Sequence, residues 1–256
     1  MIPFNKNWHF NMLEIYNFNS KGSFENLIHF IKENHNKIEG DIVEAGVYKG
    51  HSLISIARLL KDLGSTKKVY GFDTFSGFPP IYHEKDQLKE FKKLFEEDLI
   101  SENHFNSVLL NQEIIENFSN KSFKKDTKNI SSSGEFENTN LDLLYRKIDY
   151  LELDNIVLVK GKFSESMKGF NEIEKIMSAV IDCDLYESYK DSLNFIWPLL
   201  SEGGFIHLDE YYSLKYPGAR RATLEFIENI NDAFLYQKSD SRDFERWFLK
   251  KEKLKM

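Results

Sequence analysis

Residues 41–73 read DIVEAGVYKGHSLISIARLLKDLGSTKKVYGFD. The run Asp41-Ile42-Val43-Glu44-Ala45-Gly46 predicts a short strand entering a glycine turn. From His51 to Leu63 the apolar residues Leu53, Ile56, Ala57 and Leu60 recur at helical spacing, and Gly64 stops the pattern. Lys68 to Asp73 then reads as a second strand. Strand, helix and strand within about 33 residues make a right-handed parallel crossover. Upstream, residues 23–37 place Phe24, Leu27, Ile28 and Ile31 on one helical stripe behind a Ser23 cap, and Gly40 ends that segment. Downstream the rhythm repeats. Ile156 to Lys160 predicts an apolar strand of the kind buried on both faces, Ser178 to Ile181 a strand ending in Asp182, and Tyr186 to Leu200 a helix. Gly203 to Leu208 ends a further strand at Asp209, a helix covers about Gly218 to Ile230, and the runs 233–236 and 244–250 pair antiparallel at one edge. These elements predict an α/β fold, a doubly wound and mostly parallel sheet of seven strands in three layers.

Residues 82–150 interrupt the pattern with no strand. Between Ser119 and Asn140 only Phe123, Ile130 and Phe136 are large and apolar, so that stretch cannot order itself by burial. Helical patches at Asp86–Leu99 and Leu141–Leu151 flank it. The expectation is a polar lid inserted over about 82–140 in a domain spanning 40–250, preceded by a helical extension over 1–39. Composition narrows the function classes. The chain has 256 residues, a formal net charge of −7, 41% hydrophobic residues and 22 Phe. That charge is unsuited to wrapping nucleic acid, and no apolar run approaches a membrane span. A single cysteine, Cys183, excludes an internal disulfide and a cysteine zinc site. Without a signal-peptide pattern at the N-terminus, the expected location is the cytoplasm; association with a second copy stays open.

In doubly wound sheets ligands bind beyond the carboxyl ends of the strands. Those positions here are Glu44, Gly46, Gly50, Asp73, Gly161, Asp182, Asp184, Asp209 and Glu210, and six of the nine are acidic. Two carboxylates 4 Å apart repel by about 4 kcal/mol at an effective dielectric of 20, so the group must bind a cation, hold protons or point apart. The turn Glu44 to Gly50 lacks the start of the G-x-G-x-x-G phosphate cradle. An acidic residue beside the glycine suits a cationic ligand such as S-adenosylmethionine. Asp73, 27 residues after Gly46, is placed to take ribose hydroxyls. If their strands are neighbours, Asp182, Asp209 and Glu210 can surround one hard divalent cation. The plainer alternative makes Asp184 or Glu187 a helix cap and leaves Glu210 in solvent.

Four runs carry a resemblance: 40–50 (GDIVEAGVYKG), 69–79 (VYGFDTFSGFP), 182–188 (DCDLYES) and 217–222 (PGARRA). Together, over about residues 38–230, they resemble the macrocin O-methyltransferase family. That likeness implies a Rossmann-like class I fold, S-adenosylmethionine and Mg2+ as cofactors, and a sugar or glycoside hydroxyl as acceptor. Carried over, Glu44, Gly46, Tyr48, Gly50, Ser52, Asp73, Gly161, Phe163 and Asp182 would bind the cofactor. Asp182, Asp209 and Glu210 would hold the metal, and Asp184 would be the general base. The family more usually has Asp-Asp where this chain has Asp209-Glu210, and glycine where it has Cys183, expected to be a passive thiol. Tyr211, Tyr212 and Tyr216 are candidates to stack on a sugar, His207 is expected to be a core histidine, and Arg220-Arg221 to be surface. Two other classes stay open: a D-x-D nucleotide-sugar glycosyltransferase, and a non-catalytic cofactor-binding partner subunit.

Overall fold

The computed structural model describes residues 6–78, 83–118, 136, 138–240 and 244–252. Seven strands form one sheet: β1 (Asp41–Ala45), β2 (Val69–Asp73), β3 (Ile156–Lys160), β4 (Ile176–Ile181), β5 (Leu200–Leu208), β6 (Ala233–Gln237) and β7 (Trp247–Lys251). Their order is β3-β2-β1-β4-β5-β7-β6; the first five are parallel, and β7 runs antiparallel between β5 and β6. The expected doubly wound sheet is therefore present, with β1 beside β4 and β4 beside β5.

Central strands are mostly apolar because helices cover both faces, with Glu44, Ser178 and His207 as their buried polar residues. Successive residues alternate between the two layers. Ile42 and Val180 pack with Leu27 and Ile31 of α2 (Glu25–Asn34) and Leu53 and Leu60 of α3 (His51–Asp62). Val43, Ala45, Ala179 and Ile181 pack with Tyr189, Leu193 and Ile196 of α8 (Tyr186–Leu199) and Ala219 and Ala222 of α9 (Pro217–Ile227). β3 is covered on both faces, Ile156 and Leu158 packing on one layer and Val157 and Val159 on the other, but as the sheet edge it is only half-buried rather than fully buried as expected. α2 starts after Phe24 with no side-chain cap, so Ser23 does not cap it.

The insert is more structured than its composition suggests. A 3-10 turn (Glu84–Asp86), α4 (Glu90–Glu96) and α5 (Glu102–Phe118) build a small core from Phe91, Leu94, Ile100 and Val108. Its polar middle, 119–135 and 137, lies outside the described residues; the chain then continues into α6 (Leu141–Tyr150), with Asn140 capping. Arg221 on α9 binds Glu90 at 2.8 Å and Glu97 at 2.6 Å, while Lys85 binds Glu225 at 2.7 Å. Arg221 is thus a docking residue, not free surface.

Asp86 joins the insert to α8. Its Oδ1 accepts from the Tyr186 N–H at 2.7 Å, a free donor in the first turn of α8, and its Oδ2 accepts from the His83 N–H at 3.3 Å. Burial outweighs these bonds and pushes its carboxyl up to about 7. An unfolded Asp titrates near 3.9, so the folded state holds the proton more tightly. That contribution is complete below about pH 4 and is lost as pH rises towards 7. The thermal midpoint of the native chain relative to Asp86→Asn is therefore expected to fall by a few degrees between pH 5 and pH 8; parallel curves would refute this.

Candidate active site

The Gly46 turn is shaped by close approach. Gly46 has φ +93°, and a Cβ there would lie 1.7 Å from the carbonyl oxygen of Asp182. Its N–H donates to Phe72 O at 2.9 Å. The next two N–H groups, of Val47 and Tyr48, both donate to Asp73 Oδ2, at 2.7 and 2.8 Å. Phe75 N–H donates to Asp73 Oδ1 at 2.7 Å. Asp73 thus staples the turn to the end of β2. A carboxylate offers about four acceptor sites, so one on Oδ1 remains for a ligand hydroxyl.

Around this turn opens a cavity lined by Gly46, Tyr48, Ser52, Asp73, Phe163 and Asp182 of the predicted cofactor set, and by Phe78, Phe136 and Thr139. Three predicted residues do not line it. Glu44 points to the α3 side of β1 and is 0% exposed; Ser52 Oγ donates to its Oε1 at 2.8 Å, and its Oε2 has no partner. Burial pushes that carboxyl well above the ordinary range. Gly50 begins α3 at φ +76°, where a Cβ would press Leu144 at 2.4 Å. Gly161 leaves room for Ser166 and donates its N–H to Asp73 O. The alternation of strand side chains, which a linear motif does not display, turns Glu44 away from the cavity, while Gly50 and Gly161 face Leu144 and Ser166.

Beyond β4 and β5 the acidic residues converge. Oxygens of Asp182, Asp209 and Glu210 lie within 4.8 Å of one another. Each behaves differently. Desolvation, then the charge of Asp209, pushes Asp182 up to about 7, and Asp182 and Glu210 are within reach to share a proton. Burial and the charges of Asp182, Asp184 and Asp209 push Glu210 well up. For Asp209 burial acts in the same direction, yet His207 and Arg246 outweigh it and hold it at about 2. Arg246 Nη1 is 3.0 Å and His207 Nε2 3.2 Å from Asp209 Oδ1. His207 is buried as expected, but it supports this cluster. Glu210 accepts from Tyr189 OH at 2.8 Å, and its own N–H donates to that hydroxyl at 3.0 Å. The capping alternative fails: α8 has no side-chain cap from Asp184 or Glu187, Asp86 serves Tyr186, and Glu210 is buried.

Asp184 adopts φ +63° and is buried beside the cluster, where Tyr216 hydrogen-bonds its carboxylate. Burial and the neighbouring acids push its carboxyl well above the ordinary range. Burial likewise raises the Cys183 thiol, whose sulfur faces Ser192 Oγ at 3.9 Å. A second, more open cleft starts at the cluster and is lined by Asn111, Tyr212, Lys215, Tyr216, Phe244 and Arg246. Tyr212 and Tyr216 therefore face it. Tyr211 does not: it is buried, 4.8 Å from Trp247 and under Arg220 at 4.4 Å. Arg246, Tyr189 and Asn111 carry no local motif, and only tertiary contact reveals them.

A parallel sheet with an antiparallel seventh strand, a glycine crevice at β1 and acids at β4 and β5 define a doubly wound α/β fold whose clefts open at the carboxyl ends of its strands. The model for a family described as "Methyltransferase domain" matches residues 43–211, and the chain belongs to that family. It is 27% identical over 175 residues (68% of this chain, 54% of the relative) to the 8-demethyl-8-(2,3-dimethoxy-alpha-L-rhamnosyl)-tetracenomycin-C 4'-O-methyltransferase of Streptomyces olivaceus. Against the demethyldecarbamoylnovobiocin O-methyltransferase of Streptomyces niveus it is 26% identical over 180 residues (69% and 54%). The chain spans about half the length of these curated relatives. Its fold matches the O-methyltransferase NovP at TM-score 0.59 and 19% identity, covering 90% of this chain and 79% of that one. The calicheamicin methyltransferase CalS11 also gives TM-score 0.59, at 20% identity over 96% and 80% of the two chains. Among the described residues no helix is long and apolar enough to cross a membrane.

Proposed function

We propose that this chain transfers a methyl group from S-adenosylmethionine to a hydroxyl of a sugar or glycosylated metabolite, aided by a divalent cation such as Mg2+. The observation that carries the reading is the convergence of Asp182, Asp209 and Glu210 beside the Gly46 cavity. Both curated relatives are named as O-methyltransferases, one of a rhamnosyl tetracenomycin, which supports the acceptor class. Membership of a methyltransferase family removes the support for the glycosyltransferase reading.

The donor set fits a hard cation. It is all oxygen, and the protons that Asp182 and Glu210 must otherwise share are the charge a cation replaces. Asp182, Asp209 and Glu210 would hold it; when bound, such an ion lowers the pKa of a coordinated hydroxyl. Bound S-adenosylmethionine would supply the electrophilic methyl. The protein's own part is placement. Gly46 brings backbone close to the cofactor, and Asp73 fixes the turn and offers one acceptor site to the ribose. Arg246 and His207 hold Asp209 ionised, while Tyr189 orients Glu210. Asp184, hydrogen-bonded by Tyr216 and open to both cavities, is positioned to take the proton an acceptor hydroxyl gives up. Tyr212, stacked on His104, and Phe244, which lies under Arg246, line the acceptor side.

Calorimetry tests the donor, and a mass-spectrometric screen of sugar nucleotides and glycans for a gain of one methyl tests the acceptor. Heat with a UDP-sugar and none with S-adenosylmethionine would restore the glycosyltransferase. Asp182→Asn is expected to lose cation-stimulated turnover by about ten- to a hundred-fold while cofactor affinity stays within a few-fold. Normal turnover of that variant, or turnover unaffected by chelation, would remove the metal assignment; cofactor binding without any turnover would favour the partner-subunit reading.

A further inference from the structure

The cofactor cavity and the acceptor cleft have three lining residues in common: Phe136, Asp182 and Asp184. Whatever passes from one to the other passes between these side chains. Two are carboxylates from the end of β4, and the third is an aromatic ring from the insert. Phe136 holds φ +52° and packs edge-on against Tyr48 at 5.1 Å and Phe78 at 5.1 Å. The chain just after it is tied to the cofactor turn, since Tyr48 OH donates to Asn138 Oδ1 at 2.5 Å and Thr139 Oγ1 donates to Tyr48 O at 2.9 Å. The ring is thus anchored to the turn at Tyr48.

Resting on the methyltransferase reading, we propose that Phe136 is a positioning residue: it walls the passage used by the methyl group and presents its ring to the cofactor's sulfonium. The donor sulfur must stand where cavity and cleft meet, because the methyl leaves one for the other. An aromatic ring attracts a cation placed near it, and an aliphatic side chain of similar volume does not. The ring therefore favours the charged donor over S-adenosylhomocysteine, the neutral thioether left after transfer. Binding of the methyl donor is strengthened, and release of the spent product is not slowed.

Calorimetry with both ligands on the native chain, Phe136→Leu and Phe136→Tyr tests this. Leucine is expected to weaken S-adenosylmethionine roughly three- to thirty-fold and S-adenosylhomocysteine by less than a factor of two, with tyrosine restoring the native preference. kcat falls in the leucine variant while the acceptor KM changes little. Equal weakening of both ligands would reduce Phe136 to packing and overturn the proposal, as would no change in either. If the native chain binds neither ligand, the methyltransferase reading itself fails and takes this proposal with it, a result separable from the first two because it appears before any substitution.

Discussion

Gly46→Ala is expected to abolish S-adenosylmethionine binding and to lower stability by about 3–5 kcal/mol, a cost beyond ordinary substitutions. Two effects add. The residue sits at φ +93°, where a Cβ costs about 1–3 kcal/mol. The new Cβ also falls 1.7 Å from the Asp182 carbonyl oxygen, which is backbone and cannot swing aside. Relief requires the turn to move away from β4, against the Asp182 N–H bond to Ala45 O that joins β4 to β1 and the Gly46 N–H bond to Phe72 O of β2, both at 2.9 Å. Separation would drag Asp182 out of the acidic cluster and widen the crevice. Gly64→Ala is the control. Gly64 also has a positive φ, of +64°, but nothing lies within 4 Å of its added Cβ, so about 1 kcal/mol is expected. Thermal unfolding and calorimetry read both variants; a Gly46→Ala protein that melts like the control and binds cofactor would refute the geometry.

Asp184→Asn should separate catalysis from stability. On the proposed reaction its carboxylate accepts the acceptor's proton, and losing a positioned base typically costs about 10²- to 10⁴-fold in kcat. The substitution is otherwise mild. Asparagine tolerates the left-handed conformation that Asp184 adopts at φ +63°, and its amide keeps an oxygen for Tyr216. It also removes a carboxyl that burial and its acidic neighbours disfavour as an anion. The thermal midpoint should therefore hold or rise while turnover collapses and cofactor affinity stays within a few-fold. A variant with near-native kcat would clear Asp184 of the role; one that fails to fold would show the carboxylate is structural.

Much of this site is local in the chain. Carboxylates at the ends of apolar runs are readable because a strand buried on both faces admits a charge only where it emerges. Asp182, Asp209 and Glu210 were placed this way, and the parallel order β1-β4-β5 brings them together. Glu44 also ends an apolar run, but one residue of strand pleat turns it from the cavity to Ser52 on α3. α5 carries no clean apolar stripe, because it buries only His104 and Val108 and leaves Leu109, Leu110, Ile114 and Phe118 exposed.

What the amino-acid order determined alone is what depends on neighbours a few residues apart: apolar period, glycine stops, and acids at strand ends. Those features specify the seven-stranded sheet and pick out most of the residues that line its candidate site. Tertiary structure alone decided which acid stays ionised, since Arg246 lies 37 residues from Asp209 and Tyr189 lies 21 from Glu210. It likewise brought Phe136 to the meeting point of two cavities and set Asp86 on the first turn of α8, 100 residues away. Charge state and cavity shape depend on distances through space, and no linear spacing encodes them.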